Sequence, residues 1–189
     1  MVIRGNISLI LLIGLALLIF FSNDDSPKKD KLSSWNQEEV EVLNEYLESH
    51  DGDDIALQEE ILVQAKKIDA YFKRVNAPLH GHGITFAVAA HRYGINDWPY
   101  LLPAIAQAES SGGKHAYNNN PFGWGKASFE DFDHAIHIVG WNLGGNNPNT
   151  ARYYRTSDIG KKLHHYNSVN REYKNKVFAF MREISKTKI

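Results

Sequence analysis

The sequence predicts an all-α fold, a compact helical domain preceded by one apolar N-terminal helix. Three observations predict it. From Asn36 onward, apolar residues recur every three or four positions in successive segments, each closed by Gly, Pro or Asn-rich punctuation. No run alternates apolar and polar residues as a half-buried strand would. The length of 189 residues holds one domain of roughly 100 to 150 residues with accessories, and not two large domains.

Taken in order, residues 7–21 read ISLILLIGLALLIFF, with Ser8 the one polar side chain, between Arg4 and the hydrophilic SNDDSPKKDK. No small-x-small cleavage pattern follows, so residues 1–22 are expected to stay as a single-span anchor rather than leave as a secretory signal. The apolar stretch of about 16 residues is slightly short for a ~30 Å hydrocarbon core, a mismatch that flanking residues and local thinning absorb. One Arg precedes it and three Lys follow, a charge order that by the positive-inside rule opposes export of the domain. Export is expected instead from the chemistry below. Residues 23–34, charged and carrying Pro27, read as a flexible linker.

Residues 35–76 hold two expected helices. The first, from Asn36 to Ser49, places Val40, Leu43, Tyr46 and Leu47 at helical spacing and is a candidate stalk; the second, from about Asp54 to Arg74, carries Ile61, Leu62, Ala65, Ile68 and Phe72. Residues 77–189 form the main domain. After the loop NAPLHGHG comes a helix from Ile84 to Tyr93 that Gly94 ends. The next begins no earlier than about Tyr100, because Pro103 is tolerated only in a first turn, and ends near Glu109. Asn118 to Gly125 (NNNPFGWG) is a rigid loop. Ser128 with Asp131 resembles a capping box opening a helix through Leu143. GGNNPN is a turn, Thr156 or Ser157 caps a helix toward His165, and a last helix from about Arg171 buries Val177, Phe178, Met181 and Ile184.

Charge excludes some functions. With 21 Lys and Arg against 22 Asp and Glu, the chain lacks the net basic surface of a nucleic-acid binder. The halves differ: Ser33–Glu109 is net −8 and Ser110–Ile189 net +6, so the second half offers either a solvated surface or a face for an acidic polymer. There is no cysteine, hence no disulfide and no thiolate metal site. Nine histidines include the pairs His80 and His82, His134 and His137, and His164 and His165, without an H-E-x-x-H pattern or third ligand. No metal and no cofactor are expected.

One carboxyl stands out. Leu102, Ile105, Ala106 and Glu109 lie at offsets 0, 3, 4 and 7, which puts the acid on the apolar stripe of its helix. Burial and the negative end of a helix both favour a neutral carboxylic acid, the form that can give up a proton. The alternative is a carboxylate capping the amides of Ser110, Gly112 and Gly113.

The surrounding motifs, E-S-S-G-G-K at 109–114, N-N-P-F-G-W-G at 119–125 and YNSVNREYKNKV with Tyr166 and Tyr173 seven apart, together resemble the lysozyme-like superfamily. The nearest branch is the mannosyl-glycoprotein endo-β-N-acetylglucosaminidase-type domain, glycoside hydrolase family 73, over roughly Gly83 to Ile184. The resemblance implies a lysozyme-like helical domain that cleaves β-1,4 linkages between N-acetylated sugars of peptidoglycan glycan strands. It makes Glu109 the general acid, Asn120, Phe122, Gly123 and Trp124 the loop bounding the cleft, and Tyr166 the tyrosine facing the scissile sugar. Aromatic faces stack on sugar C–H surfaces, Gly allows close approach and an Asn amide suits an N-acetyl group. Trp124 and Phe122 as core aromatics, and Tyr166 as a packing residue, are the plain alternatives.

The chain departs from a two-carboxylate glycosidase, whose second group sits ~5 to 9.5 Å from the acid. No Asp or Glu lies between Glu109 and the NNPFGWG loop, and Glu130, Asp131 and Asp133 cluster where helix-capping acids belong. A single-acid mechanism follows, with the substrate's own N-acetyl group or 6-hydroxyl as nucleophile. Hydrolysis and the anhydro product of a lytic transglycosylase both stay open, as does a non-catalytic glycan-binding or scaffold module. The expected place is the cell membrane, single-pass, with the domain outside the cytoplasm.

Overall fold

The computed structural model describes residues 35–49 and 55–189. The described residues form eight helices and no strand: α1 Gln37–Glu48, α2 Ile55–Arg74, α3 Gly83–Arg92, α4 Leu101–Ser110, α5 Phe132–Leu143, α6 Ala151–Tyr154, α7 Ile159–Tyr166 and α8 Tyr173–Ser185. The all-α class is therefore observed. The expected membrane span and linker lie outside the described residues; among those described, no helix is long and apolar enough to cross a membrane.

The stretch GITFAVAA has no polar stripe, and a helix apolar all round is stable only when others surround it. Residues 83–90 of α3 are all buried. α2 lies so close that a Cβ at Gly83 would stand 2.4 Å from the Ala65 carbonyl oxygen, so only glycine fits the crossing. His82 precedes α3 without a side-chain capping bond. Asp69 of α2 does that work, its Oδ1 accepting from the amides of Gly81 (2.9 Å) and Gly83 (3.0 Å).

α1 is not a stalk. Leu43, Tyr46 and Leu47 are buried, and α1 belongs to the compact unit of residues 36–189. It opens with a capping box the sequence reading passed over, in which Asn36 Oδ1 accepts from the Glu39 amide (2.9 Å) and Glu39 Oε2 accepts from the Asn36 amide (3.3 Å).

Three helix starts differ from expectation, two of them because the expected cap has another partner. The cap of α5 is Asp131, accepting from the His134 amide at 2.7 Å, while Ser128 accepts from the Asn118 amide group within the loop. The cap of α7 is Asp158, accepting from the Lys161 amide, and Thr156 accepts from Asp158 itself. α8 starts at Tyr173 rather than Arg171. The short α6 was not foreseen; Asn142 Oδ1 anchors its approach by accepting from Asn147 Nδ2 (2.9 Å) and Thr150 Oγ1 (2.8 Å).

A polar recess of about 200 Å³ opens at the start of α1, between Glu39, His82, Thr85 and Asp133. His82 Nδ1 and Asp133 Oδ1 pair at 2.7 Å. Burial opposes the charge on both, yet their mutual attraction wins, raising His82 and lowering Asp133. Glu39 has no such partner: its Oε1 is buried without a hydrogen bond. Burial first, then the charge of Asp69, pushes it to about 7.

A carboxyl raised from 4.5 to about 7 adds stability that is complete below the lower value and lost as pH climbs through the upper one. Glu39→Gln, which keeps the capping acceptor, is therefore expected to be more stable than wild type at pH 8, by on the order of 2 kcal/mol after discounting for solvent in the recess. The gap should close by pH 4. Thermal unfolding of both proteins across that range checks it; a constant gap would place the effect elsewhere.

Candidate active site

Glu109 occupies the last turn of α4, half-buried. α4 ends because Ser111, Gly112 and Gly113 all turn left-handed, with φ of 56°, 69° and 94°, which reverses the chain at once. The buried Ser110 fixes this end. Its hydroxyl donates to the Pro121 carbonyl at 2.7 Å and accepts from the Gly113 amide at 2.9 Å, tying the turn after Glu109 to the middle of the NNNPFGWG loop.

Asparagine side chains stitch that loop. Asn118 and Asn119 take positive φ, tolerable because a short amide can bond locally. Asn119 Nδ2 donates to the carbonyls of Phe129 (3.2 Å) and Glu130 (2.7 Å). Asn120 Oδ1 accepts from the Trp124 amide (3.0 Å), and its Nδ2 donates to the Ala127 carbonyl (3.2 Å).

The loop presents Gly123 to the acid. A Cβ there would lie 2.9 Å from Glu109 Oε2 and would displace the carboxyl, and φ is +59°, a conformation that glycine adopts without strain. Across from it, the Tyr166 hydroxyl donates to the Phe122 carbonyl. Tyr166 stacks on Tyr173 (centroids 5.9 Å, planes 5° apart), and Trp124 packs on Tyr166 at 5.5 Å and Tyr154 at 6.0 Å.

Burial drives the ionisation of Tyr166 far up, with Glu109's charge next. Tyr173 is raised by burial, then by Tyr166 and Glu109, and its hydroxyl is buried beside that acid without a well-formed hydrogen bond. Burial likewise takes Tyr154 to about 12. Tyr166 and Tyr173 therefore remain neutral phenols beside one carboxyl. Lys176 of α8 donates to the Ala108 carbonyl at 2.8 Å, placing a cation at the negative end of α4.

The structure thus brings Glu109, Gly123 and Tyr166 together, with Trp124 partly exposed against Tyr166. Two residues turn inward, Phe122 in line with its core-aromatic alternative. Phe122 is fully buried and meets Phe86 at 6.3 Å; its carbonyl, not its ring, serves the site. Asn120 is buried with its amide turned into the loop, a lock rather than a sugar contact. Two residues went unnoticed. Ser110 was hidden in a Gly/Ser turn, and Tyr154 sits on a four-residue helix with no periodicity to signal it.

None of the later acids is idle. Asp131 caps α5, Asp133 pairs with His82, and Glu130 lies 3.8 Å from His134. Among the described residues no three His, Asp or Glu side chains assemble as a metal site.

Asn120→Ala removes three loop bonds, to the Trp124 amide and carbonyl and the Ala127 carbonyl, and strands the Trp124 amide, so a loss of about 2 kcal/mol is expected. Faster limited proteolysis within residues 118–127 should accompany it, and an unchanged cleavage rate would show that Asn120 is not the lock.

No protein-family model matches the chain, and neither curated proteins nor solved structures give a match.

Proposed function

We propose that the chain is a peptidoglycan-cleaving glycosidase acting on β-1,4 linkages between N-acetylated sugars, held at the outer face of the cell membrane by its N-terminal segment. One observation carries the reading. Three motifs distant in sequence, around Glu109, Gly123 and Tyr166, meet at a single carboxyl walled by glycine on one side and aromatic rings on the other. A bare glycine lets a sugar ring come near the acid, and tyrosine and tryptophan give it faces to lie on.

In the proposed reaction the Glu109 carboxylic acid protonates the glycosidic oxygen as the C1–O bond breaks, and the leaving sugar departs as a neutral alcohol. With Asp131 and Asp133 engaged elsewhere, the nucleophile comes from the substrate. Attack by the N-acetyl oxygen leads, after water adds and Glu109 recovers its proton, to hydrolysis. Attack by the 6-hydroxyl, whose proton passes to the Glu109 carboxylate, gives the anhydro product of a lytic transglycosylase. The two products differ in mass by one water.

Glu109→Gln keeps shape and removes the proton, so release of wall fragments should fall by roughly 10² to 10⁴ while unfolding stays cooperative. Wild-type release by the Gln variant would sink the reading. Lost release together with a collapsed melting temperature would mark Glu109 as a structural residue, although not as the cap of Gly112 and Gly113, whose amides bond to the Ala106 carbonyl and the Ser110 hydroxyl instead. Gly123→Ala should also reduce turnover, because its Cβ meets Glu109 Oε2 at 2.9 Å, at a folding cost of about 1 to 2 kcal/mol for the left-handed φ. Mass spectrometry of the released sugars identifies the product.

A further inference from the structure

Beyond Trp124 the rings continue. Tyr154 touches Trp124, Tyr153 follows at 6.4 Å, His165 lies 5.2 Å from Tyr153, and His164 lies 5.7 Å from His165. The line runs from the buried Tyr154 (6% exposed) to Tyr153 (38% exposed), so it leads from the Glu109 cluster to the surface. At the outer end the Arg152 guanidinium lies over the Tyr153 ring, 4.6 Å from its centroid. Ring stacking of this kind holds the plane of an arginine and leaves its N–H edge directed outward.

The charge around it is one-sided. Residues 151–176 contain seven Lys and Arg against two acids. Several of these cations are occupied: Lys162 is buried, donating to the carbonyls of Leu143 and Tyr154, Lys176 serves Ala108 and Arg155 reaches the Gly145 carbonyl. Arg152 is exposed, and no ion pair among the described residues includes it. Nor does Lys162 simply fill space. By joining the end of α5 to α6 it sets Tyr154 against Trp124, and so the whole line of rings against the acid.

We propose that Arg152, held on Tyr153, binds anionic substituents of the glycan strand at the end of the cleft away from Glu109. The inference rests on the glycosidase reading and adds a substrate class to it: strands bearing carboxylates or phosphates in preference to neutral oligomers of N-acetylglucosamine. A guanidinium edge offers parallel N–H donors that match either anion bidentately. An exposed cation also acts at a distance, so the preference weakens as salt shortens the screening length from about 10 Å at 0.1 M to 3 Å at 1 M.

The test compares the full-length wild type with Arg152→Gln on three substrates: neutral chitin oligomers, peptidoglycan stripped of phosphate polymers by hydrofluoric acid, and the untreated wall. The variant should raise KM about five- to tenfold on charged strands, leave kcat near wild type and leave chitin oligomers unaffected. Raising salt should erase the difference between the two proteins. An effect on the stripped wall assigns the carboxylates of the strand, and an effect on the untreated wall alone assigns the phosphates. Equal losses on neutral and charged substrates, or no loss on any, would overturn the proposal. If wild type and Glu109→Gln are equally active, or both inert on all three substrates, the glycosidase reading itself has failed.

Discussion

Glu109 reaches the loop at 118–125 across a gap that Gly123 keeps clear, and much of the site's construction serves that contact. The helix must stop immediately after the acid, which Ser111, Gly112 and Gly113 accomplish with successive left-handed turns. The loop must then return to the same place. Ser110 ensures this by bonding both the turn it begins and the Pro121 carbonyl eleven residues on. Behind the contact, Phe122 enters the core and Asn120 closes the loop upon itself, so Gly123 is held from both sides. Several hydrogen bonds of about 1 kcal/mol each thereby act on one geometry, and a small error in any of them would move the carboxyl.

Much of this was legible in the sequence because helical periodicity is a strong signal where a helix has one buried face. α2, α4 and α8 follow their apolar spacing closely. The starts of α5 and α7 were misplaced because a Ser or Thr just ahead of an Asp offers two acceptors for one capping role, and tertiary contacts decide which is free. Ser128 is bound to Asn118 and Thr156 to Asp158. At the candidate site, the motifs singled out Glu109, Gly123, Trp124 and Tyr166, which the fold brings near one another, but the direction of a side chain is not written in a motif. Asn120 and Phe122 point inward for reasons that exist only once the loop has closed.

The charge asymmetry of the sequence has two different structural meanings. In the acidic half, Asp69 caps α3 and Glu39 closes the capping box of α1 with one oxygen left unsatisfied, beside the recess where His82 pairs with Asp133 of the basic half. Those acids are parts of the folding energetics, and the unpaired one makes stability depend on pH. In the basic half, several cations likewise bond to helix-end carbonyls, as Lys176 does for α4 and Lys162 for α5 and α6. Net charge alone therefore overstates the free surface potential. What remains after these internal uses is a smaller set, of which Arg152 is the member contiguous with the aromatic line.

The neutrality of the phenols bears on the mechanism. Burial raises Tyr166 and Tyr173 far above any working pH, and Glu109's own charge adds to both shifts. Neither tyrosine can then act as an anionic nucleophile, and neither supplies negative charge to an oxocarbenium-like transition state. Each can still donate a hydrogen bond, and Tyr166 already donates to the loop. Tyr173, its hydroxyl buried beside the carboxyl without a well-formed bond, is the donor placed to tighten on Glu109 when it becomes a carboxylate. On the proposed reading, the protein supplies the proton and then shelters the anion left behind. Balancing the developing positive charge falls to the sugar's own acyl oxygen or hydroxyl, the one partner a site with a single acid leaves available.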